Sequence, residues 1–380
     1  MPLPQLLVAL LAVTGPELIA KFQCQRCHDG LEAAPAIPVE RHCVHCHQQI
    51  EAGTFDAPAE IQAGWRPNLV SLRFAPDLSE LGAHLRPEWI EGFLLAPVDL
   101  RPQLPASMPR LPITPPEAEV LARHLAGAPS RAPAPPDPSL VEQGRAHFLR
   151  LGCGECHAYS GVLPGRTPLS AAELLAASAA KLLAPDLAHS RTRLVPEVLP
   201  TLIRTPRKVR AKAVMPDYEL SSEEVAALVA FVRAAPITAV PEAPPPPRLP
   251  LLTRRVSFPE IKTKIFQKHC RHCHADPDKA FGDGGPGNAG GLGYPGRGLS
   301  LVDYRAVMSG GRDDQGRRRS IFAPLPDGTP RLIAHLLARR EEERGRVVPG
   351  ILGMPLGLPS LDERELQLLE SWIAQGRPPQ

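Results

Sequence analysis

Four short stretches decide how this sequence is read: CQRCH at 24–28, CVHCH at 43–47, CGECH at 153–157 and CRHCH at 270–274. All eight cysteines lie in these stretches, so none is left over for a disulfide. C-x-x-C-H is the attachment signature of c-type haem. Two thiols add across the two vinyl groups of one macrocycle, and two intervening residues let both reach it. The histidine that follows sits under the iron as its proximal ligand. The expectation is four covalently bound haems, held by Cys24, Cys27, Cys43, Cys46, Cys153, Cys156, Cys270 and Cys273, with His28, His47, His157 and His274 on the irons. The rival is zinc, because residues 24–46 also fit C-x2-C-x15-C-x2-C. Against it, every pair is followed by histidine, and the pairs at 153 and 270 have no second pair nearby.

The methionines refine the expectation. Of five, Met1 is the initiator, Met308 has no special context, and the other three precede proline: Met108-Pro109, Met215-Pro216 and Met354-Pro355. A thioether is a soft ligand that suits haem iron and raises its reduction potential. Each Met-Pro lies downstream of a C-x-x-C-H and upstream of an amphipathic stretch. S/T-x-x-E patterns, which cap helices, open the segments before three of the motifs at Thr14–Glu17, Ser139–Glu142 and Ser257–Glu260. They recur after each Met-Pro at Thr114–Glu117, Ser221–Glu224 and Ser360–Glu363. The later helices carry apolar residues at helical spacing, such as Val225, Leu228, Val229 and Val232.

Helix, C-x-x-C-H, loop, Met-Pro and terminal helix is an order that resembles the class I cytochrome c family, here in three tandem copies. The resemblance implies an all-α fold in which the first and last helices of each copy cross beside the haem, with Phe22, Phe148 and Phe266 at the crossings. It also implies that His157 and Met215 ligate one haem, and His274 and Met354 another. The chain as a whole is thus expected to be a multihaem c-type cytochrome. Proline-rich breaks at 128–138 and 235–250 divide it into a dihaem unit at 14–127, a monohaem unit at 139–235 and a monohaem unit at 251–380. Pro76-Asp77-Leu78 and Leu85-Arg86-Pro87-Glu88 in the first unit match Pro185-Asp186-Leu187 and Leu194-Val195-Pro196-Glu197 in the second. His84 then stands where the second unit has Arg193, whose place resembles the family's propionate contact.

The dihaem unit has two attachment motifs and one Met-Pro. The spacing from His47 to Pro76, 29 residues, resembles the 28 from His157 to Pro185, which favours Met108 for the haem on His47. A capped helix stands only in front of the first motif, and packed helices define such a fold while loops accept insertions. This second argument is preferred, and it gives Met108 to the haem on His28. The haem on His47 then takes another ligand, with His84 and His124 as candidates, or keeps an open site. On the other assignment His42 or His45 reaches across to the first haem. His269 and His272 occupy the same places around the fourth motif and are read as recurrent surface residues.

The remaining features set the context. Aromatic residues are only 4%, and buried porphyrin would supply missing apolar bulk. A net charge of +3 with dispersed cations argues against a nucleic-acid binder. Leu3–Val13 is apolar and suits a signal core or anchor, too short for a span, although no Lys or Arg precedes Lys21. The expectation is a periplasmic or otherwise exported protein, with association at a membrane surface not excluded by this segment. A Gly-rich stretch at 282–298, inside an insertion at roughly 278–345, lacks a phosphate-binding order and reads as loop. Arg312 and Arg317–Arg319 form a basic run, read as solvated surface or a docking site for a redox protein. Electron transfer between redox partners is the leading expectation. The alternatives are a haem enzyme of peroxidase or nitrogen-oxide reductase type with its open site at the second haem, and a gas or redox sensor.

Overall fold

The computed structural model describes residues 13–31, 41–66, 69, 72, 74–79, 81–98, 100–104, 108–127, 134–164, 169, 171–239, 244–275 and 288–380. The apolar N-terminal segment, the middle of the first linker and the first part of the Gly-rich stretch lie outside them. Helix takes 49% of the described residues and strand 3%, which agrees with the all-α expectation at the level of class.

Helix α1 (Gly15–Phe22) runs into the first motif. Helices α2 (Cys43–Ala52) and α3 (Ala59–Trp65) follow. They make a small apolar cluster of Cys46, Ile50 and Phe55, with Trp65 and Leu69 against it. Helices α4 (Pro87–Leu95) and α5 (Pro115–Ala126) close the first unit. The second runs from α6 (Val141–Arg150) through the short helices α7 (Ala171–Ala176), α8 (Ala179–Leu183), α9 (Ser190–Arg193), α10 (Leu199–Arg204) and α11 (Pro206–Val209) to α12 (Ser222–Ala234). The third begins with α13 (Phe258–Ile261), which continues as π-helical turns over Lys262–Cys270. It adds α14 (Tyr304–Ser309), the hairpin strands β1 (Gly311–Arg312) and β2 (Arg318–Arg319), α15 (Arg331–Glu343) and α16 (Glu363–Ala374).

In each unit the first helix packs on the last: α1 on α5, α6 on α12, and α13 with its π-helical extension on α16. Phe22, Phe148 and Phe266 are all buried, as the crossing requires. Phe148 lies 5.4 Å from Phe231 of α12, and Phe266 lies 6.5 Å from Trp372 of α16. Gly144 faces the Ala227 backbone at the α6–α12 crossing so closely that any side chain there would collide with the Ala227 carbonyl.

Three of the six capping expectations hold. Thr14, Thr114 and Ser221 cap α1, α5 and α12, each with a glutamate three residues on. The others are corrected. Asp137 takes the cap expected of Ser139, accepting from the Ser139 amide at 2.9 Å. Ser257 is the cap residue of α13, but Glu260 turns to Arg254 and Lys264 rather than back to the cap. Asp362, with Glu365, caps α16 in place of Ser360, whose amide donates to Glu343 at 2.7 Å. An aspartate accepts an amide bond as well as serine does, so the nearer carboxylate competes for each helix start.

The first two units share one apolar core, in which Leu81, Leu85, Leu121 and Phe22 join Leu194, Leu199 and Val232. Leu85 pairs with Leu194 in an antiparallel bridge. The Arg86 amide donates to the Arg193 carbonyl at 2.9 Å, and the Val195 amide to the His84 carbonyl at 3.0 Å. Each bond joins a residue to its repeat partner's neighbour, so the two units meet about a local twofold relation.

The described part of the expected insertion packs into the third unit. Helix α15 cradles the Met354 loop through buried charged side chains. Arg339 and Arg340 donate to the carbonyls of Leu358 and Leu361, and Glu342 accepts from the Gly353 amide at 2.8 Å. Tyr294 in the Gly-rich segment forms a tight turn with Gly291 and reaches the first unit, donating to the Arg110 carbonyl at 2.8 Å. The basic run folds around Asp313, which pairs with Arg317 and Arg319 at 3.1 and 2.9 Å. The second linker is also docked at its end, where the Pro250 carbonyl accepts from Gln367 at 2.5 Å.

Candidate haem-binding sites

Three of the four motifs follow the end of a first helix: Cys24 after α1, Cys153 after α6, and Cys270 at the end of the π-helical run. The second motif differs, because Cys43 begins helix α2. In motifs one, three and four the histidine amide closes a turn onto the first cysteine carbonyl, at 3.1, 2.9 and 2.9 Å.

The imidazoles of His28 and His157 are held identically. Each Nδ1 lies 2.9 Å from a proline carbonyl, Pro76 for His28 and Pro185 for His157. The following leucine amides then reach back, Leu78 to Asp29 and Leu187 to Ala158, both at 2.9 Å. With Nδ1 engaged as donor, Nε2 carries the free lone pair, the arrangement a metal-binding histidine needs. The Pro76 bond to His28 overturns the spacing argument that aligned Pro76 with His47. The second motif and its helices are an insertion in the first unit's loop. In the third unit the arrangement differs: the Leu301 amide donates to the carbonyl of His274 itself at 2.8 Å, and His274 Nδ1 is buried with no hydrogen-bond partner. Neither proline nor aspartate stands at Leu299-Ser300.

One cavity of about 1040 Å³ runs between the first two units. It is lined by Cys27, His28 and Met108 on one side and by Cys153, Cys156, His157 and Met215 on the other. Leu81, Leu85, Ile90, Leu199 and Leu228 make much of the remaining wall. Ligand pockets ordinarily span about 300–1,000 Å³, so this space suits two large flat apolar groups. Arg193 and His84 both line it. Burial pushes the Arg193 guanidinium down to about 10, and its Nε is buried without a hydrogen-bond partner. A buried cation with an orphaned donor beside an apolar cavity fits an anionic group such as a propionate. The donor set therefore fits haem on the residues' own geometry.

The other motifs gather beside the first. Cys27 and Cys43 interact side by side, so that Cys27's thiol is held up and Cys43's down, with Arg26 also favouring the Cys43 thiolate. Cys43 and Arg26 act on Cys273 as well, whose thiol burial pushes up to about 11. Burial likewise raises Cys24 to about 11 and Cys270 to about 12. The His47 and His272 rings lie 6.5 Å apart. Met354 belongs to the third unit, its amide donating to the His335 carbonyl at 2.9 Å.

Several expected histidine roles are corrected. His124 is exposed and packs over Gly15 at the α1–α5 crossing, a structural contact. His42 and His45 stack on each other at 3.6 Å and converge on Asp29, with His45 Nε2 3.0 Å from its carboxylate. Among the described residues this trio is the one group whose ligand atoms lie close enough to hold a metal ion. His42 Nδ1 already accepts the His45 amide as the cap of α2. His272 is exposed, as its reading as a surface residue expects, and its ring lies beside that of His47.

Arg110, immediately after Met108-Pro109, escaped the sequence reading. It binds Glu342 at 3.2 Å and the Ile351 carbonyl at 3.0 Å, tying the Met108 loop to the Met354 loop. Among the described residues no helix is long and apolar enough to cross a membrane. A scan against family models and searches of curated proteins and of solved structures find no match to this chain.

Proposed function

We propose that the protein is a tetrahaem c-type cytochrome, built of three tandem class I cytochrome c-like units, that passes electrons between redox partners outside the cytoplasm. One observation carries the reading: two of the four C-x-x-C-H motifs share one apolar cavity with a methionine each, and their histidines are held by equivalent proline carbonyls. Zinc has no use for that cavity or for a methionine opposite each histidine.

On this reading the eight cysteines hold four haems, and the four motif histidines provide one axial ligand to each. Met108 faces His28, Met215 faces His157, and Met354 serves His274. Bound haem supplies a one-electron change at iron. The chain's own contribution is to fix the imidazole tautomer through Pro76 and Pro185, to keep water from the apolar walls, and to set charge near each site. Arg193 offers its unpaired donor to a propionate.

The test is the mass of the protein matured in an exporting host. Four haem additions that survive acid–organic extraction are expected. Bound zinc, or fewer than three haems, would overturn the reading. Holoprotein recovered only from the cytosol would count against export.

A further inference from the structure

We infer that His272, lying inside the fourth attachment motif, is the second imidazole ligand of the haem carried by Cys43, Cys46 and His47. The inference rests on the haem reading above and deepens it at the site that lacks a Met-Pro.

The three Met-Pro methionines are otherwise engaged. Met108 shares a cavity with His28 and Met215 with His157, while Met354 lies in the C-terminal unit. The haem on His47 therefore needs a ligand of another kind. The ring of His272 stands 6.5 Å from the ring of His47, with their planes inclined by 53°. Two imidazoles bound to opposite faces of one metal at about 2 Å each hold their ring centres about 6 Å apart, once the distance from ring nitrogen to ring centre is added. The 6.5 Å between His47 and His272 fits that span, whereas the stacked His42 and His45, at 3.6 Å, do not.

His272 is exposed, so its ring is open to a group carried by the second motif. Cys43 and Cys273 lie close enough to act on one another, and Arg26 reaches both, so the second and fourth motifs meet at this point. The competing histidines have other partners. His45 is bound to Asp29, His269 to Glu365 at 2.9 Å, and His335 to the Leu352 carbonyl at 2.6 Å. His84 faces the large cavity of the other two haems. His272 and His274, two positions apart, thus serve neighbouring haems, and the backbone between them joins the two sites directly. A second haem with both axial positions filled leaves no open site for the enzyme alternative.

The experiment uses the full-length holoprotein, with haem counted by mass and ligation read by electron paramagnetic resonance and near-infrared magnetic circular dichroism. The wild type is expected to carry one bis-imidazole haem beside three imidazole–thioether haems. His272→Ala is expected to keep four attached haems and to turn one of them high-spin, with added imidazole restoring the low-spin signal. His269→Ala is the control and leaves all four low-spin. His272→Met is expected to stay low-spin, gain a fourth methionine–iron band and raise one potential. A His272→Ala protein with four haems, all low-spin and unchanged, would overturn the assignment while leaving the haem reading intact. If that variant fails to mature, a wild-type spectrum without a bis-imidazole haem overturns it as well. Failure to attach four haems in the wild type would instead sink the underlying reading.

Discussion

At the scale of the residue, the decisive contacts are single bonds that orient single rings. The Pro76 and Pro185 carbonyls bind Nδ1 of His28 and His157 at the same 2.9 Å, so both imidazoles present Nε2 to the same cavity. On the proposed haem reading, this pairing assigns Met108 to the haem on His28. The expected consequence is that Met108→Ala removes one methionine–iron band and lowers the potential of the haem on His28, with the haem on His47 unmoved. A near-infrared spectrum with a redox titration of the holoprotein reads both. A shift confined to the haem on His47 would reverse the assignment. Met215→Ala should behave as its twin, because Met215 stands in the same relation to His157.

At the scale of the element, helix starts follow the nearest carboxylate rather than the first serine in the pattern. Asp137 and Asp362 hold the starts that Ser139 and Ser360 had suggested. Asp137→Ala and Asp362→Ala are each expected to cost about 1 kcal/mol, whereas Ser139→Ala should be nearly neutral. Denaturant unfolding measures the difference, and equal effects of Asp137→Ala and Ser139→Ala would contradict the capping account. Glu365 in α16 adds a pH dependence. Burial alone would raise its carboxyl, but His269 and Lys268 bind it and hold it down to about 2, against 4.5 for a free glutamate. A depressed folded value stabilises the fold fully above about pH 4.5, and that contribution is lost as pH falls towards 2. Glu365→Gln should therefore flatten the acid limb of a stability–pH curve of the third unit. An unchanged acid limb would show that the trio does not contribute.

At the scale of the whole molecule, the units are not beads on a proline string. The first two share a core and a pair of equivalent backbone bonds between His84–Arg86 and Arg193–Val195. The first and third meet where Arg110 bridges Glu342 and Ile351. The first unit therefore contacts both of the others, and on the proposed reading it would link their haems. Arg110→Ala is expected to disturb the Met108 and Met354 bands together, because one side chain fastens both loops. Magnetic circular dichroism of the variant checks this, and two unperturbed bands would show that the bridge is dispensable. The proximity of Cys27 to Cys43, and of Cys43 to Cys273, also predicts coupled reduction. Reducing one haem raises the electrostatic cost of reducing its neighbour, so a titration should spread over separated steps.

Local chemistry was legible in the amino acids alone. A C-x-x-C-H motif needs only consecutive residues, and helical periodicity with Thr14, Thr114 and Ser221 ahead of it needs little more, so the motifs, the helical class and the crossing phenylalanines could be read directly. What depends on distance in the chain could not. The bond from His28 spans 48 residues to Pro76, longer than the misleading spacing from His47, because an inserted helical module lies between. Arg110 with Glu342, and His47 with His272, lie more than two hundred residues apart, and no local pattern links them. Sequence determined which residues are able to hold haem, since covalent attachment and capping are short-range. Only the tertiary structure brought His28 and Met108 to one cavity with His157 and Met215, and His47 beside His272, since such neighbours form between surfaces that packing brings together.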